Sequence, residues 1–149
     1  MTDKKVTELT SSTDAPVLTD LLYVIEDVTT TAVSVKKAWS VFFSPRVTSV
    51  ASSATPTPNA DTTDIYILTA LSDATATFGI PTGTPVQGQK LIIRIKDNAT
   101  PRILAWNAIY RAIGITLPLT TTTSKTMYIG FIYNSTDTKW DGLASLQEA

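Results

Sequence analysis

From Gln89 to Lys96 the chain alternates with a period of two: Leu91, Ile93 and Ile95 fall on one side, Ile92, Arg94 and Lys96 on the other. Successive side chains of a strand point to opposite faces, so this period predicts a β-strand. Weaker versions recur downstream. Asp64–Leu71 places Ile65, Ile67, Thr69 and Leu71 on one face. Thr75–Ile80, Thr126–Tyr133 and Lys139–Leu146 follow as further strands. Arg102–Trp106 and Ile109–Ile113 flank Asn107-Ala108, which predicts a tight hairpin. Pro81-Thr82-Gly83-Thr84-Pro85, Asp97–Pro101 and Asn134–Asp137 carry the residues that turn a chain. Upstream, Leu21–Ile25 and Ala32–Lys36 lie on either side of Glu26–Thr31 and predict a small hairpin. Ala38–Phe43 reads as a short helix or strand stopped by Pro45.

Between these two blocks the pattern fades. Residues 47–59 are small, hydroxylated and interrupted by Pro56 and Pro58, the composition of a semi-extended linker. Three parts follow: an N-terminal module at 1–46, a linker at 47–59 and a C-terminal head at 60–149. Short strands separated by frequent turns predict an all-β chain: a small N-terminal β-hairpin module, then an antiparallel β-sandwich of jelly-roll type. The abundance of threonine agrees, because its branched β-carbon suits a pleated surface better than a helix.

Some strands are apolar on both sides. Met127–Tyr133 has no polar face, and Tyr66, Leu68 and Ile92 lie on the nominal outer side of their strands. A sheet with one solvated face shows polar residues there. A head of about 90 residues has little interior for two buried faces. Tyr66, Leu68, Ile92, Tyr128 and Ile132 are therefore expected at a contact between copies of the chain. Trp39, Phe42 and Phe43 expose much apolar surface for a small hairpin, which suits either packing within the chain or docking into another protein.

Candidate chemistry is sparse. The 149 residues include no histidine and no cysteine, which removes Ser-His, Cys-His and histidine- or cysteine-ligated metal arrangements. Glu26-Asp27 and Asp61/Asp64 are the nearest carboxylate pairs, and both sit beside turn residues that such side chains commonly cap. No EF-hand spacing or phosphate-binding glycine loop occurs. No enzyme activity, cofactor or metal is expected. A small glycoside hydrolase would need two carboxylates facing each other across a cleft. The net charge is −1 with scattered basic residues, so no nucleic-acid footprint exists, and no run is long enough to span a membrane. Trp106, Tyr110 and Trp140 stand near turns. They are either core residues or rings on which a sugar stacks.

Several strings occur in one order: 54–64 (Ala-Thr-Pro-Thr-Pro-Asn-Ala-Asp-Thr-Thr-Asp), 81–98 (Pro81 to Asn98), 105–112 (Ala-Trp-Asn-Ala-Ile-Tyr-Arg-Ala) and 130–135 (Gly-Phe-Ile-Tyr-Asn-Ser). Together they resemble a β-rich module at the C-terminal end of phage virion proteins described as fibre, head-fibre or minor structural proteins. Val6-Thr7-Glu8-Leu9, Asp20–Asp27 and Val35-Lys36-Lys37 are similar to the leader of phage fibre proteins, with Ala38-Trp39 where Ile-Thr usually follows. The resemblance implies a homotrimer located in the virion, made in the bacterial cytoplasm. Leu21, Leu22, Tyr23, Val35, Trp39, Phe42 and Phe43 would attach it to the major capsid protein or another virion protein. The absence of a shaft repeat favours a capsid-attached head fibre or decoration protein over a tail-fibre or baseplate module that binds a receptor or a host glycan.

Overall fold

The computed structural model describes residues 21–26, 33–38 and 44–149. They fall into two compact units, Met1–Ser44 and Pro45–Ala149. In the first, β1 (Leu21–Glu26) pairs antiparallel with β2 (Val33–Ala38), with Tyr23 opposite Lys36 and Val24 opposite Val35. Trp39, Phe42 and Phe43 lie outside the described residues.

The second unit is entirely sheet and loop; no helix occurs among its residues. Its strands are β3 (Val47–Val50), β4 (Ile65–Leu71), β5 (Thr75–Phe78), β6 (Lys90–Asp97), β7 (Ile103–Trp106), β8 (Tyr110–Ala112), β9 (Thr126–Asn134) and β10 (Lys139–Gln147). Six of them form one sheet in the order β3-β4-β6-β9-β10-β8, and β5 and β7 form a second. Side chains from both sheets share one core. Leu68, Ile93, Ile95, Ile129 and Phe131 come from the large sheet, and Ala76, Phe78 and Leu104 from the small one. Phe78 stacks on Trp106 with ring centroids 4.3 Å apart, and Trp106 meets Phe131 across the core at 5.8 Å.

The expected antiparallel arrangement is corrected by the pairing. β3–β4, β4–β6, β5–β7 and β8–β10 are parallel; β6–β9 and β9–β10 are antiparallel. From β4 to β7 the chain alternates between the sheets, so β4 and β6 are joined through β5, and β5 and β7 through β6. A crossover of this kind brings strands together parallel, which a tight turn cannot do. For the same reason the hairpin expected around Asn107-Ala108 does not form: β7 pairs with β5, and β8 with β10. Asn107 marks a corner instead. Its N–H donates to the Phe78 carbonyl at 3.0 Å and its side-chain oxygen accepts from the Ile109 N–H at 3.0 Å.

The expected linker at 47–59 is also corrected. It contains β3, and the division between units falls after Ser44. The rest of it runs beside β5. Ala54, Pro56 and Pro58 accept hydrogen bonds from the N–H groups of Thr77, Gly79 and Thr82 at 2.8, 3.0 and 2.9 Å. Pro56 and Pro58 are fully buried. A proline cannot donate to a ladder, but at a sheet edge its carbonyl can still accept. The prolines that suggested a linker thus finish the small sheet.

Candidate interaction surface

The large sheet has an inner face that fills the core and an outer face without a covering layer in its own unit. β6 shows the division most cleanly. Leu91, Ile93, Ile95 and Asp97 are buried, while Lys90, Ile92 and Lys96 are exposed and Arg94 is half-buried. The strand registers carry that division across the sheet. One outer row runs Val47, Ile65, Ile92, Gly130, Ala144. The next runs Ser49, Ile67, Arg94, Tyr128, Leu146, and the third Lys90, Ile132, Asp141, Arg111. Val47 is 54% exposed, Ile92 38%, Tyr128 44% and Leu146 67%, so apolar side chains meet water over several adjacent strands. At one end an open groove of about 430 Å³ is lined by Lys96, Thr126, Tyr128, Leu146, Gln147 and Glu148.

Of the five residues expected at a contact between copies, Ile92, Tyr128 and Ile132 lie on this outer face. Tyr66 and Leu68 do not: they are 6% and 0% exposed, inside the chain's own core. The expected inward set on β4 was Ile65, Ile67, Thr69 and Leu71. The strand instead turns Tyr66 and Leu68 inward, and the register with β6 shifts between Leu68 and Leu71 so that Leu71 returns to the interior. A one-residue irregularity reverses every side chain on one side of it, which is why reading β4 backwards from Leu71 inverts the strand.

The three rings considered for sugar stacking belong to the interior. Tyr110 and Trp140 are 4% and 1% exposed, and Trp106 is half-buried with its indole N–H donating to the Pro118 carbonyl at 2.7 Å. Tyr110 packs against Phe131 at 5.0 Å and Trp140 against Tyr133 at 5.1 Å. Burial raises the Tyr110 phenol well above its ordinary pKa. Tyr110 and Trp140 present no free ring face in this fold, and Trp106, partly exposed, has Phe78 stacked on it.

The charges of the second unit divide unevenly. Its seven carboxylates all have partners. Asp64 is bound by Arg46, Nη2 to Oδ1 at 2.5 Å, and that guanidinium, hydrogen-bonded to it, holds the Asp64 pKa below the usual carboxylate range. Asp61 accepts from the Thr84 N–H, Asp73 from the Ser52 hydroxyl, and Glu148 from the Thr126 N–H. Buried Asp97 accepts from the N–H groups of Ala99 and Ser124 and from the Thr121 hydroxyl at 3.0, 2.8 and 2.7 Å, which ties two loops together. Arg111 grips Asp141 through Nε at 2.7 Å and Nη2 at 3.0 Å, and reaches Asp137 at 2.8 Å. That fork lowers the Asp141 pKa.

Five of the eight cations in this unit are likewise held: Arg46 and Arg111 by carboxylates, Arg102 by Asn98, Lys139 by the Ala108 carbonyl and Lys125 by the Ala149 oxygen. Lys90, Arg94 and Lys96 make no hydrogen bond or ion pair with the described residues, and all three belong to the outer face of β6. The Nε of Arg94 is closed off from solvent and lacks a partner.

Among the described residues no group of three or more acidic side chains could hold a metal ion, and no helix is long and apolar enough to cross a membrane. No protein-family model, no curated protein and no solved structure matches the chain.

Sequence reasoning singles out Ile92, Tyr128 and Ile132 on this face but not Arg94. The signal was present in its flanks. A lone arginine between Ile92 and Lys96, facing the same way as Tyr128 on an adjacent strand, is placed to bridge an apolar contact and a polar one.

Proposed function

We infer that this chain is a non-enzymatic structural protein of a tailed-phage virion, a capsid-attached head fibre or decoration protein that works as a homotrimer. In this reading the first unit attaches to the shell, and the second is a two-layered head of sandwich type. The observation that carries the structural-protein reading is the apolar outer face of the large sheet, which no layer of the second unit covers; the homotrimer is what the sequence resemblance implies. Contiguous apolar surface of that kind marks an interface with another polypeptide. The face is built from strands and its outer rows run across neighbouring strands in register, which suits a permanent assembly surface better than a cleft for small molecules. The same reading accounts for the chemistry. The carboxylates of the second unit are engaged as caps and ion pairs, and two of the three rings a sugar would stack on, Tyr110 and Trp140, are buried in the core.

Light scattering on the full chain tests the assembly. A mass three times 16.1 kDa is expected for the homotrimer. A monomeric mass at micromolar concentration would overturn it.

A further inference from the structure

The apolar outer face has a charge pattern that says what can cover it. Its central strand carries Lys90, Arg94 and Lys96; Lys96 is close enough to Glu148 to lower its pKa, whereas Lys90 and Arg94 make no hydrogen bond or ion pair within the described residues. Two such faces pressed together would bring the cations of both β6 strands into one desolvated layer, where like charges repel. A partner bearing carboxylates removes that repulsion, and the guanidinium of Arg94 can bind one through two parallel hydrogen bonds. Arg94 also sits between Ile67 and Tyr128 in its row, so a segment that reaches it covers apolar surface on both sides.

We propose that the outer face of the large sheet docks an acidic polypeptide segment with interspersed apolar side chains, supplied by a different virion protein, and that Arg94 is its anchor. The proposal rests on the structural-protein reading above and names the partner of that surface. The apolar residues Ile65, Ile92, Tyr128 and Leu146 receive the partner's apolar side chains. Lys90 and Lys96, one on each side of Arg94 along the strand, add attraction that weakens with salt.

The test uses the full chain and three fluorescent twelve-residue peptides: alternating glutamate and leucine, alternating lysine and leucine, and alternating glutamate and serine. Fluorescence anisotropy should show saturable binding of the glutamate–leucine peptide, at least about tenfold weaker binding of glutamate–serine, and none of lysine–leucine. Arg94→Glu should weaken the first by about tenfold or more, and Arg94→Lys by less, with far-ultraviolet circular dichroism unchanged in both. Equal binding of the lysine–leucine peptide, or an unchanged dissociation constant in Arg94→Glu, would overturn the proposal. Light scattering on Arg94→Glu separates the two readings. If it remains trimeric while losing the peptide, both stand. If the wild-type trimer falls apart in Arg94→Glu, the face is covered by copies of the chain itself; the acidic-partner proposal fails and the homotrimer stands. A wild-type chain that is monomeric yet binds the peptide sinks the trimer and keeps the docking site.

Discussion

Ile92 and Ile93 are neighbours in the chain, alike in chemistry and opposite in circumstance. Ile93 is fully buried between the sheets; Ile92 is 38% exposed on the other side of the same strand. The contrast extends over the whole large sheet. Inside, the packing is close: Phe78 stacks on Trp106, the leucines and isoleucines of the core are at most 2% exposed, and the buried carboxylate Asp97 has three donors. Outside, the side chains are of similar kind but meet water, and Lys90 and Arg94 of β6 have no hydrogen bond or ion pair among the described residues. Side chains that serve folding and side chains that await a partner can have the same composition. What separates them is whether the second unit itself supplies the second layer.

The largest expected effect sets these neighbours against each other. Ile93→Ala deletes buried methyl and methylene groups from a filled core and should destabilise the chain by about 2–5 kcal/mol. Ile92→Ala removes contacts only with half-buried neighbours and should cost under about 1 kcal/mol in the isolated subunit. Urea titration followed by tryptophan fluorescence measures both. Equal losses would mean that the outer face is already covered in solution.

How much of this division was legible in the sequence depended on the strand. On β6 the two-residue period runs unbroken, and Leu91, Ile93 and Ile95 point inward as the pattern says. On β4 the period is interrupted by the register shift before Leu71, and hydrophobicity alone does not reveal the shift, since Ile65, Tyr66, Ile67 and Leu68 are all apolar. Pairing partners were less accessible still. The parallel ladders join strands far apart in sequence, as Ile65 with Ile92 and Tyr110 with Trp140. Asn107 was a turn signal correctly located, but whether a turn reverses a strand or crosses to another sheet is decided by tertiary packing. Pro56 and Pro58 misled for a related reason: proline excludes a central strand and equally permits an edge.

The second effect is smaller and concerns the rim of the outer face. Arg111 lowers the pKa of Asp141 by holding its carboxylate in a fork, and Asp64 is lowered by Arg46. A carboxylate with a folded pKa below its unfolded value contributes stability that is fully present above the unfolded value, near 4, and is lost as pH falls through the folded one. Stability should therefore be flat on this account from pH 7 to about 5 and decline below about 4. In Asp141→Asn the decline should be shallower, because one of the contributing groups no longer titrates. Thermal melts across pH 2.5–7 check it. An acid limb of unchanged steepness in Asp141→Asn would show that the Arg111 fork is as well formed in the unfolded chain or has no energetic weight.

The smallest effect compares two tyrosines, one on each face. The Tyr110 hydroxyl is buried and has no hydrogen-bond partner, whereas Tyr128 is exposed to water. An unpaired buried hydroxyl carries a desolvation cost that its ring does not need in order to pack against Phe78, Trp106 and Phe131. Removing that oxygen leaves the ring contacts in place, so Tyr110→Phe should be neutral or stabilise the chain by up to about 1 kcal/mol. Tyr128→Phe should change monomer stability by less than about 0.5 kcal/mol, because its hydroxyl loses only water. The pair isolates one oxygen atom in two settings. A clear loss of stability in Tyr110→Phe would reveal a partner for the hydroxyl inside the core, and the contrast between a completed inner layer and an uncompleted outer one would then extend from packing to polar groups.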